Sequence, residues 1–267
     1  MAGMHASLIL ADAGAHVYLV DSSPAAGGLW GFLDKTFPTD SCGVCHMSPR
    51  NPAYCPVIEV ERHPRITLMA RSRVTHVSGD VGDYRATVIT SPEYVRRDLC
   101  DGCGECERVC PVTTHEPSYL GMRDHKAIYA PSHRSVPAGF VVNETTCTRC
   151  GRCIEACPRG AIDLSRKEAR TELHVAAIIV CVGATLCDPR VRPEYSYDPS
   201  KNVITGLEFE RMVSASGPTS GRLVRPGDGR KPTRVAFIQC VGSRDRSKAS
   251  PYCSSVCCMY AVKEAII

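Results

Sequence analysis

One pattern of cysteines occurs twice and limits what this chain can fold into. In each run four cysteines and a proline are spaced C-x2-C-x2-C-x3-C-P, and the two runs match residue for residue. The first run is Cys100, Cys103, Cys106, Cys110 and Pro111, and the second is Cys147, Cys150, Cys153, Cys157 and Pro158. Glycines within the runs, Gly102, Gly104 and Gly151, favour tight loops in which three sulfurs face one point. The duplication therefore predicts two equivalent thiolate sites.

The spacing is that of bacterial dicluster ferredoxins, in which the fourth cysteine of each run ligates the cluster of the other run. We therefore expect two [4Fe-4S] clusters with crossed ligand sets. One set is Cys100, Cys103, Cys106 and Cys157, and the other is Cys147, Cys150, Cys153 and Cys110. Zinc sites, the alternative, usually show two separated C-x2-C pairs. Disulfides are not expected in a chain without a secretory signal. Two clusters in one small module indicate electron transfer.

Composition excludes several other classes of protein. The 17 cysteines are spread over 267 residues, a chain too long for a disulfide miniprotein. The formal charge of +4 does not indicate nucleic-acid binding, because thiolate-bound clusters add negative charge and no basic stripe is interleaved with aromatic residues. No apolar run approaches the ~20 residues of a membrane span. We expect a cytoplasmic protein, since oxygen-sensitive clusters suit a reducing compartment.

The N-terminal segment suggests part of a dinucleotide-binding fold. A helix is expected over Met1–Gly14, followed by a short strand at 15–20. The acidic residue that ends this strand occupies the ribose-binding position, and a small-residue turn after it allows the backbone to approach a flavin. The candidate flavin-binding residues in this part are Gly3, Asp21, Gly27 and Gly28. The first strand and the early glycines of such a fold are missing, so we expect a chain truncated at this end.

Further strands are predicted on either side of the cysteine runs. They are expected at 66–68, 74–77, 85–89, 171–175, 176–182 and 235–238. The second and third of these form a hairpin across 79–82. The apolar run 176–182 reads as a buried strand that ends at Gly183, where a turn would return the chain under the flavin. Between the strands, 94–166 forms an insert that contains both cysteine runs.

Two more groups of cysteines lie outside the runs. Cys42, Cys45 and Cys55 are either three ligands of a further metal site, with His46 as a fourth candidate, or free thiols that line a loop beside the flavin. Cys240, Cys253, Cys257 and Cys258 lie at a predicted strand end and helix start, where four thiolates can hold another cluster. The stretch 253–267 has helical character.

Several of these stretches together resemble the A subunit of heterodisulfide reductase, a flavin- and iron–sulfur-containing protein of methanogens with relatives in other anaerobes. The resemblance rests on the two cysteine runs, the turn at 21–28 and the ending FIQCVGSRD…YCSSVCCMYAVKEA. The stretches DKTFPTDSCGVCHMSP, from Asp34 to Pro49, and 125–153 are similar to that family too. The resemblance covers essentially the whole chain.

The resemblance implies a fold and a set of cofactors. The fold would be α/β, a thioredoxin-reductase-like FAD-binding (Rossmann-type) domain with an inserted α+β dicluster ferredoxin domain. Its parts would be the first FAD-binding segment (1–93), the ferredoxin insert (94–167), the return segment with a linker (168–232) and the start of a second dinucleotide-like domain (233–267). FAD would lie on the glycines and Asp21 named above and on the Gly183 turn. A third cluster would be ligated by Cys240, Cys253, Cys257 and Cys258.

The resemblance also implies a function. The chain would be part of an oxidoreductase subunit that passes or bifurcates electrons between a hydrogenase- or formate-dehydrogenase-type donor, ferredoxin and a disulfide-reducing partner protein. The disulfide-reducing site itself would lie on that partner, and no catalytic residue is assigned in this chain. The alternative is a simple polyferredoxin relay with a vestigial flavin domain. No Ser/His/Asp or paired-carboxylate constellation suggests hydrolysis.

Overall fold

The structure is a computed structural model that describes residues 1–34, 56–115, 122, 124–131, 136–247 and 250–267. Those residues form two compact units, one with 1–31 and the described part of 56–183, the other with 32–34 and the described part of 184–267. Within them, no helix is long and apolar enough to cross a membrane.

The first unit contains both helices and strands. Its helices are α1 (Ala2–Asp12), α2 (Pro56–Arg62), α3 (Glu105–Val109) and α4 (Arg152–Glu155). Its strands are β1 (Val17–Val20), β2 (Ile66–Met69), β3 (Ser72–Asp80), β4 (Asp83–Thr90), β5 (Thr113–His115), β6 (Asp124–Lys126), β7 (Ile128–Tyr129), β8 (Val141–Val142) and β9 (Ala169–Val175). The second unit contains α5 (Gly206–Val213) and α6 (Cys257–Ile266).

The N-terminal helix–strand pair is present as predicted. β1 pairs with β2 in parallel, in register from Val17 opposite Ile66 to Val20 opposite Met69. Parallel neighbours need a crossover connection, and α2 precedes β2 on that connection. α1 packs against both α2 and β1, and its apolar face buries Met4 and Leu8. Asp21 directly follows β1, as the pattern indicated.

A three-stranded antiparallel sheet explains how the cysteine-rich segment is attached. The predicted hairpin is confirmed as β3 and β4, and β9 pairs with the other edge of β4. Thr90, at the end of β4, lies opposite Ala169, at the start of β9. The chain therefore leaves the sheet and returns to it at paired positions, and the segment between them forms an insert. Val88, which is fully buried, packs at the centre of the sheet.

Two predicted strands are wrong. The segments 176–182 and 235–238 are irregular, and both are largely exposed, with Val180 75% and Val182 91% accessible. A strand requires a hydrogen-bonded neighbour for its backbone groups, and within the described residues no strand pairs with either segment. Their apolar composition alone does not make them strands.

The second unit contains a helix that the sequence analysis missed. α5 begins with a capping box: the Thr205 hydroxyl accepts from the Glu208 N–H, and the Glu208 carboxylate accepts from the Thr205 N–H. The pattern T-x-x-E was the available signal for this start. α5 packs against α6, and Lys263 Nζ donates to Glu210 Oε2 over 2.6 Å between these two buried side chains.

Glu264 of α6 makes the stability of this unit depend on pH. It is 3% accessible, and among the described residues its Oε1 has no hydrogen-bond partner. Burial, and then the charge of Glu210, raise the pKa of Glu264 to about 8, against the smaller opposite effect of Lys263. Because this pKa lies above the unfolded value of 4.5, the folded state keeps a proton that the unfolded state loses as pH rises between these values. The contribution to stability is therefore complete below the unfolded pKa and is lost as pH rises through about 8.

We expect Glu264→Gln to remove this loss, which reaches up to about 1.4 kcal/mol per pH unit in the wild type. The measurement is the urea concentration at which half of α6 is unfolded, monitored by pulsed hydrogen exchange at about pH 6 and about pH 9. Glu155→Gln, at an exposed position of the first unit, is the matched control and should leave the pH dependence as it is. An equal loss of stability in Glu264→Gln and wild type would contradict the assignment.

Candidate metal centres

The insert is built from two halves with the same hydrogen bonds. In the first half, Val95 forms a bridge with Ile162, which follows the second cysteine run. In the second half, β8 pairs with β7, which follows the first run. The matching bonds are Arg96 N–H to Ala161 O (2.7 Å) and Cys100 N–H to Arg96 O (2.9 Å) in one half, and Asn143 N–H to Ala127 O (2.8 Å) and Cys147 N–H to Asn143 O (3.0 Å) in the other. The first cysteine of each run is thus fixed in the same way.

Left-handed glycines start the short helix of each half. Gly104 (φ 80°) precedes α3, and Gly151 (φ 81°) precedes α4. A side chain is disfavoured at such a φ. The backbone conformation therefore explains why the motif has glycine at these two positions. Each helix then presents a buried cysteine, Cys106 on α3 and Cys153 on α4.

One predicted ligand set lines a single cavity. The cavity measures about 330 Å³ with the open space at its mouth. Its walls are formed by Cys110, Pro111, Val112, Ala127, Ile128, Val142, Cys147, Thr148, Cys150, Gly151, Cys153 and Leu164. Three of the four cysteines come from the second run and Cys110 from the first, so the members of one predicted crossed set share a cavity wall. The pKa of Cys153 is raised by burial first and then by the charges of Cys147, Cys110 and Cys150, with one opposing backbone hydrogen bond.

The other predicted set lies in the matching part of the insert. Burial, as the largest cause, raises the pKa of Cys106 to about 12, and the charges of Cys100, Cys153 and Cys103 add to it. Cys157 occupies in the second run the place that Cys110 has in the first. It packs against the same core as Cys100 and Cys106, and its Sγ accepts the Ala161 N–H over 3.3 Å. A cluster bound here must displace the thiol protons, since thiolates are the ligands.

These arrangements differ from a site for one metal ion. Within the described residues no group of three or more His, Cys, Asp or Glu side chains could hold a single ion. The cysteines of the second set instead line a cavity, as the ligands of a many-atom cluster do. The residues present therefore fit [4Fe-4S] clusters.

The C-terminal cysteines also lie together. Cys257 and Cys258 begin α6, and Cys257 is buried. The charge of Cys257 is the largest cause that raises the pKa of Cys258, and the charges of Cys240 and Cys253 contribute as well. The pKa of Cys257 is lowered, chiefly by a hydrogen bond from the Ser254 hydroxyl. Charge effects thus connect Cys258 with the other three predicted ligands, while within the described residues the four do not form a site for a single metal ion.

Two of the candidate flavin-binding residues lie on the expected elements, Gly3 on α1 and Asp21 directly after β1. A Cβ on Gly3 would come within 3.3 Å of Leu19 and 3.4 Å of Cys181, so this glycine allows α1 to pack closely on the chain beneath it. That is the role of the last glycine in the dinucleotide fingerprint. Asp21 Oδ1 accepts the Ser23 N–H over 2.9 Å.

The remaining flavin candidates are glycines with positive φ: Gly27 (116°), Gly28 (60°) and Gly183 (74°). Gly183 does not end a strand as predicted, because the segment before it is irregular. Cys42, Cys45, Cys55 and His46 lie outside the described residues.

The contact between Arg149 and Tyr94 could not be found from the sequence. Arg149 lies between two ligands of the second run, and its Nη2 donates to the Tyr94 hydroxyl over 2.9 Å. Its guanidinium also lies 5.3 Å from the centre of the Tyr94 ring. The only available signal was a charged residue at the position where the first run has Gly102.

The fold of the insert and the cavity lined by cysteines of both runs define an iron–sulfur module. The sequence model of the 4Fe-4S dicluster domain family matches residues 99–162. Over 99% of its length the chain is homologous to the A subunits of CoB–CoM heterodisulfide reductases, at 38–45% identity.

Named relatives illustrate this homology. One is the A subunit of the H2:CoB–CoM heterodisulfide, ferredoxin reductase of Methanothermobacter thermautotrophicus, 42% identical over 99% of this chain and 39% of the relative. Another is an iron–sulfur A subunit of the CoB–CoM heterodisulfide reductase of Methanopyrus kandleri, 45% identical over 99% of this chain and 40% of the relative. A third is the A subunit of the H2/formate:CoB–CoM heterodisulfide, ferredoxin reductase of Methanococcus maripaludis, 38% identical over 99% of this chain and 39% of the relative. The chain thus spans about two fifths of the length of these curated relatives.

Proposed function

We propose that the chain is the FAD- and [4Fe-4S]-containing electron-transfer part of an A subunit of the heterodisulfide reductase type. The observation that supports this most strongly is the cavity lined by cysteines of both runs. Bound clusters would supply one-electron chemistry, and the protein residues would set the potentials through burial, hydrogen bonds to sulfur and nearby charge.

The flavin, beside the clusters, would convert two-electron transfer into one-electron transfer. We assign Asp21 as the residue that binds the FAD ribose. The backbone at Gly27, Gly28 and Gly183 would approach the flavin closely. Support comes from the α1–β1 pair and from the close packing at Gly3.

A third cluster would be ligated by Cys240, Cys253, Cys257 and Cys258. The effects of Cys257, Cys240 and Cys253 on the pKa of Cys258 support this grouping. The Ser255 N–H donates to Cys253 Sγ over 3.3 Å, the kind of bond that tunes a cluster.

The partners would be the other subunits of a heterodisulfide-reductase-type complex, ferredoxin, and a hydrogenase or formate dehydrogenase module. Relatives with names that include ferredoxin, H2 or formate support this. Within such a complex, electrons would be passed or bifurcated between the donor, ferredoxin and the disulfide-reducing partner.

The test is the cofactor content of the full-length protein purified without oxygen. We expect Asp21→Ala to weaken FAD binding roughly ten- to a hundredfold, because it removes a charged hydrogen-bond acceptor worth about 1.5–3 kcal/mol. Asp12→Ala, at the end of α1, is the matched control and should keep full FAD. Cys258→Ser should remove one cluster without removing FAD. Wild-type protein that contains clusters but no flavin would refute the flavin assignment and leave a polyferredoxin relay.

A further inference from the structure

The two cysteine loops can be compared position by position, because their spacing is identical. Their charged residues are Asp101, Glu105, Glu107 and Arg108 in the first loop, and Arg149, Arg152 and Glu155 in the second. The first loop thus has three acidic residues and one basic residue, and the second has two basic residues and one acidic residue. Arg159, just after the second run, contacts Asp101 (Nε to Oδ2, 3.1 Å). This contact reduces the difference in charge between the two sites but does not reverse it.

The other determinants of potential are matched between the sites. A cluster's potential depends on its type, its hydrogen bonds to sulfur, its exposure and the net charge around it. Each ligand set has one buried, two half-buried and one exposed cysteine. Among the described residues, each also has a ligand sulfur that accepts a backbone N–H: Cys157 from Ala161 at 3.3 Å and Cys147 from Arg149 at 3.4 Å. Charge is therefore the determinant in which the two sites differ.

The charge of Arg149 is fixed in place. Its Nη1 donates to the Leu164 carbonyl over 2.7 Å, while Nη2 donates to the Tyr94 hydroxyl. Leu164 is part of the wall of the cavity formed by the second ligand set. A guanidinium anchored to this wall stabilises negative charge added inside it. At the matching position of the other loop Gly102 has no side chain, and both residues have positive φ, 54° for Arg149 and 75° for Gly102.

We infer that the site formed by Cys110, Cys147, Cys150 and Cys153 has the higher reduction potential of the two, and that Arg149 raises it most. An electron that enters the module then resides mainly at this site. The transfer between the sites oxidises one cluster and reduces the other, each by one electron. This inference rests on the proposed function, because it requires two redox-active clusters.

The experiment is an EPR-monitored redox titration of the full-length protein without oxygen. Cys103→Ser and Cys150→Ser, which alter matched exposed ligands, assign one signal to each site. We expect Arg149→Gly to lower the midpoint of the Cys150 site, changing the electron-sharing ratio roughly tenfold, or about 59 mV for a one-electron couple. Glycine suits the positive φ at this position. Arg149→Lys keeps the charge and should restore most of the midpoint.

Glu105→Gln provides the opposite test and should raise only the midpoint of the Cys103 site. If Arg149→Gly fails to assemble, Arg152→Gln at an exposed position should lower the same midpoint by a smaller amount. A higher wild-type midpoint at the Cys103 site would overturn the inference, as would a Cys150 midpoint that neither arginine variant changes. Wild-type protein without two reducible clusters would refute the proposed function instead.

Discussion

Replacing Cys110 with alanine is expected to abolish the cluster whose other three ligands belong to the second run. The cluster nearest to Cys110 in sequence should remain. The reason is geometric: Cys110 lines the same cavity as Cys147, Cys150 and Cys153. A cubane left with three protein ligands has an iron open to solvent, and we expect the whole cluster then to break down, which removes about half of the module's iron.

The mirror variant Cys157→Ala makes this prediction specific. It should remove the cluster bound by Cys100, Cys103 and Cys106 and leave the other. Iron analysis combined with EPR of the reduced full-length protein is the measurement. Cys110→Ala should lose the same signal as Cys150→Ala, and Cys157→Ala the same signal as Cys103→Ala. If Cys110→Ala instead lost the signal of its own run, the ligand sets would not be crossed.

The grouping of the cysteines in the insert could be predicted from sequence because the information for it is local. The spacing of each run places three sulfurs on one loop, and the glycines that the loops need, Gly104 and Gly151, are visible in the motif. The crossing of the fourth ligands is a property of the duplicated pattern itself. The hairpin of β3 and β4 was predictable for the same reason, since its turn residues lie between two short apolar runs.

The wrong predictions concern features that depend on distant neighbours. The segments 176–182 and 235–238 are as apolar as buried strands, but an apolar run becomes a strand only where another strand pairs with it. The antiparallel pairing of β5 with β6, between the first cysteine run and Ala127, could not be derived either, because no motif marks these two short strands. Arg149 was missed because a solvated arginine and one that contacts Tyr94 look alike in sequence.

Removing iron is expected to unfold the insert while the sheet of β3, β4 and β9 persists. The helices of the insert have five and four residues, and β7 and β8 have two residues each. Elements this short are not stable by themselves in water. Their common core is built partly from ligands: Cys106 and Cys153 are buried in it, and further cysteines of both runs pack against it.

The magnitudes favour complete unfolding of the insert. A structural metal site contributes about 10–16 kcal/mol to folding in small zinc domains, whereas whole domains are stable by only about 5–15 kcal/mol. Two clusters therefore outweigh what the short elements and the apolar part of the core can provide. Hydrogen exchange before and after anaerobic chelation of the full-length protein measures this directly. Amides of the described part of 94–166 should lose protection, while those of β4 around Val88 should keep it, since the described members of that core include no cysteine. If β7 and β8 remain protected after complete removal of iron, the apolar residues alone specify the fold of the insert. The clusters would then bind to a fold that forms without them.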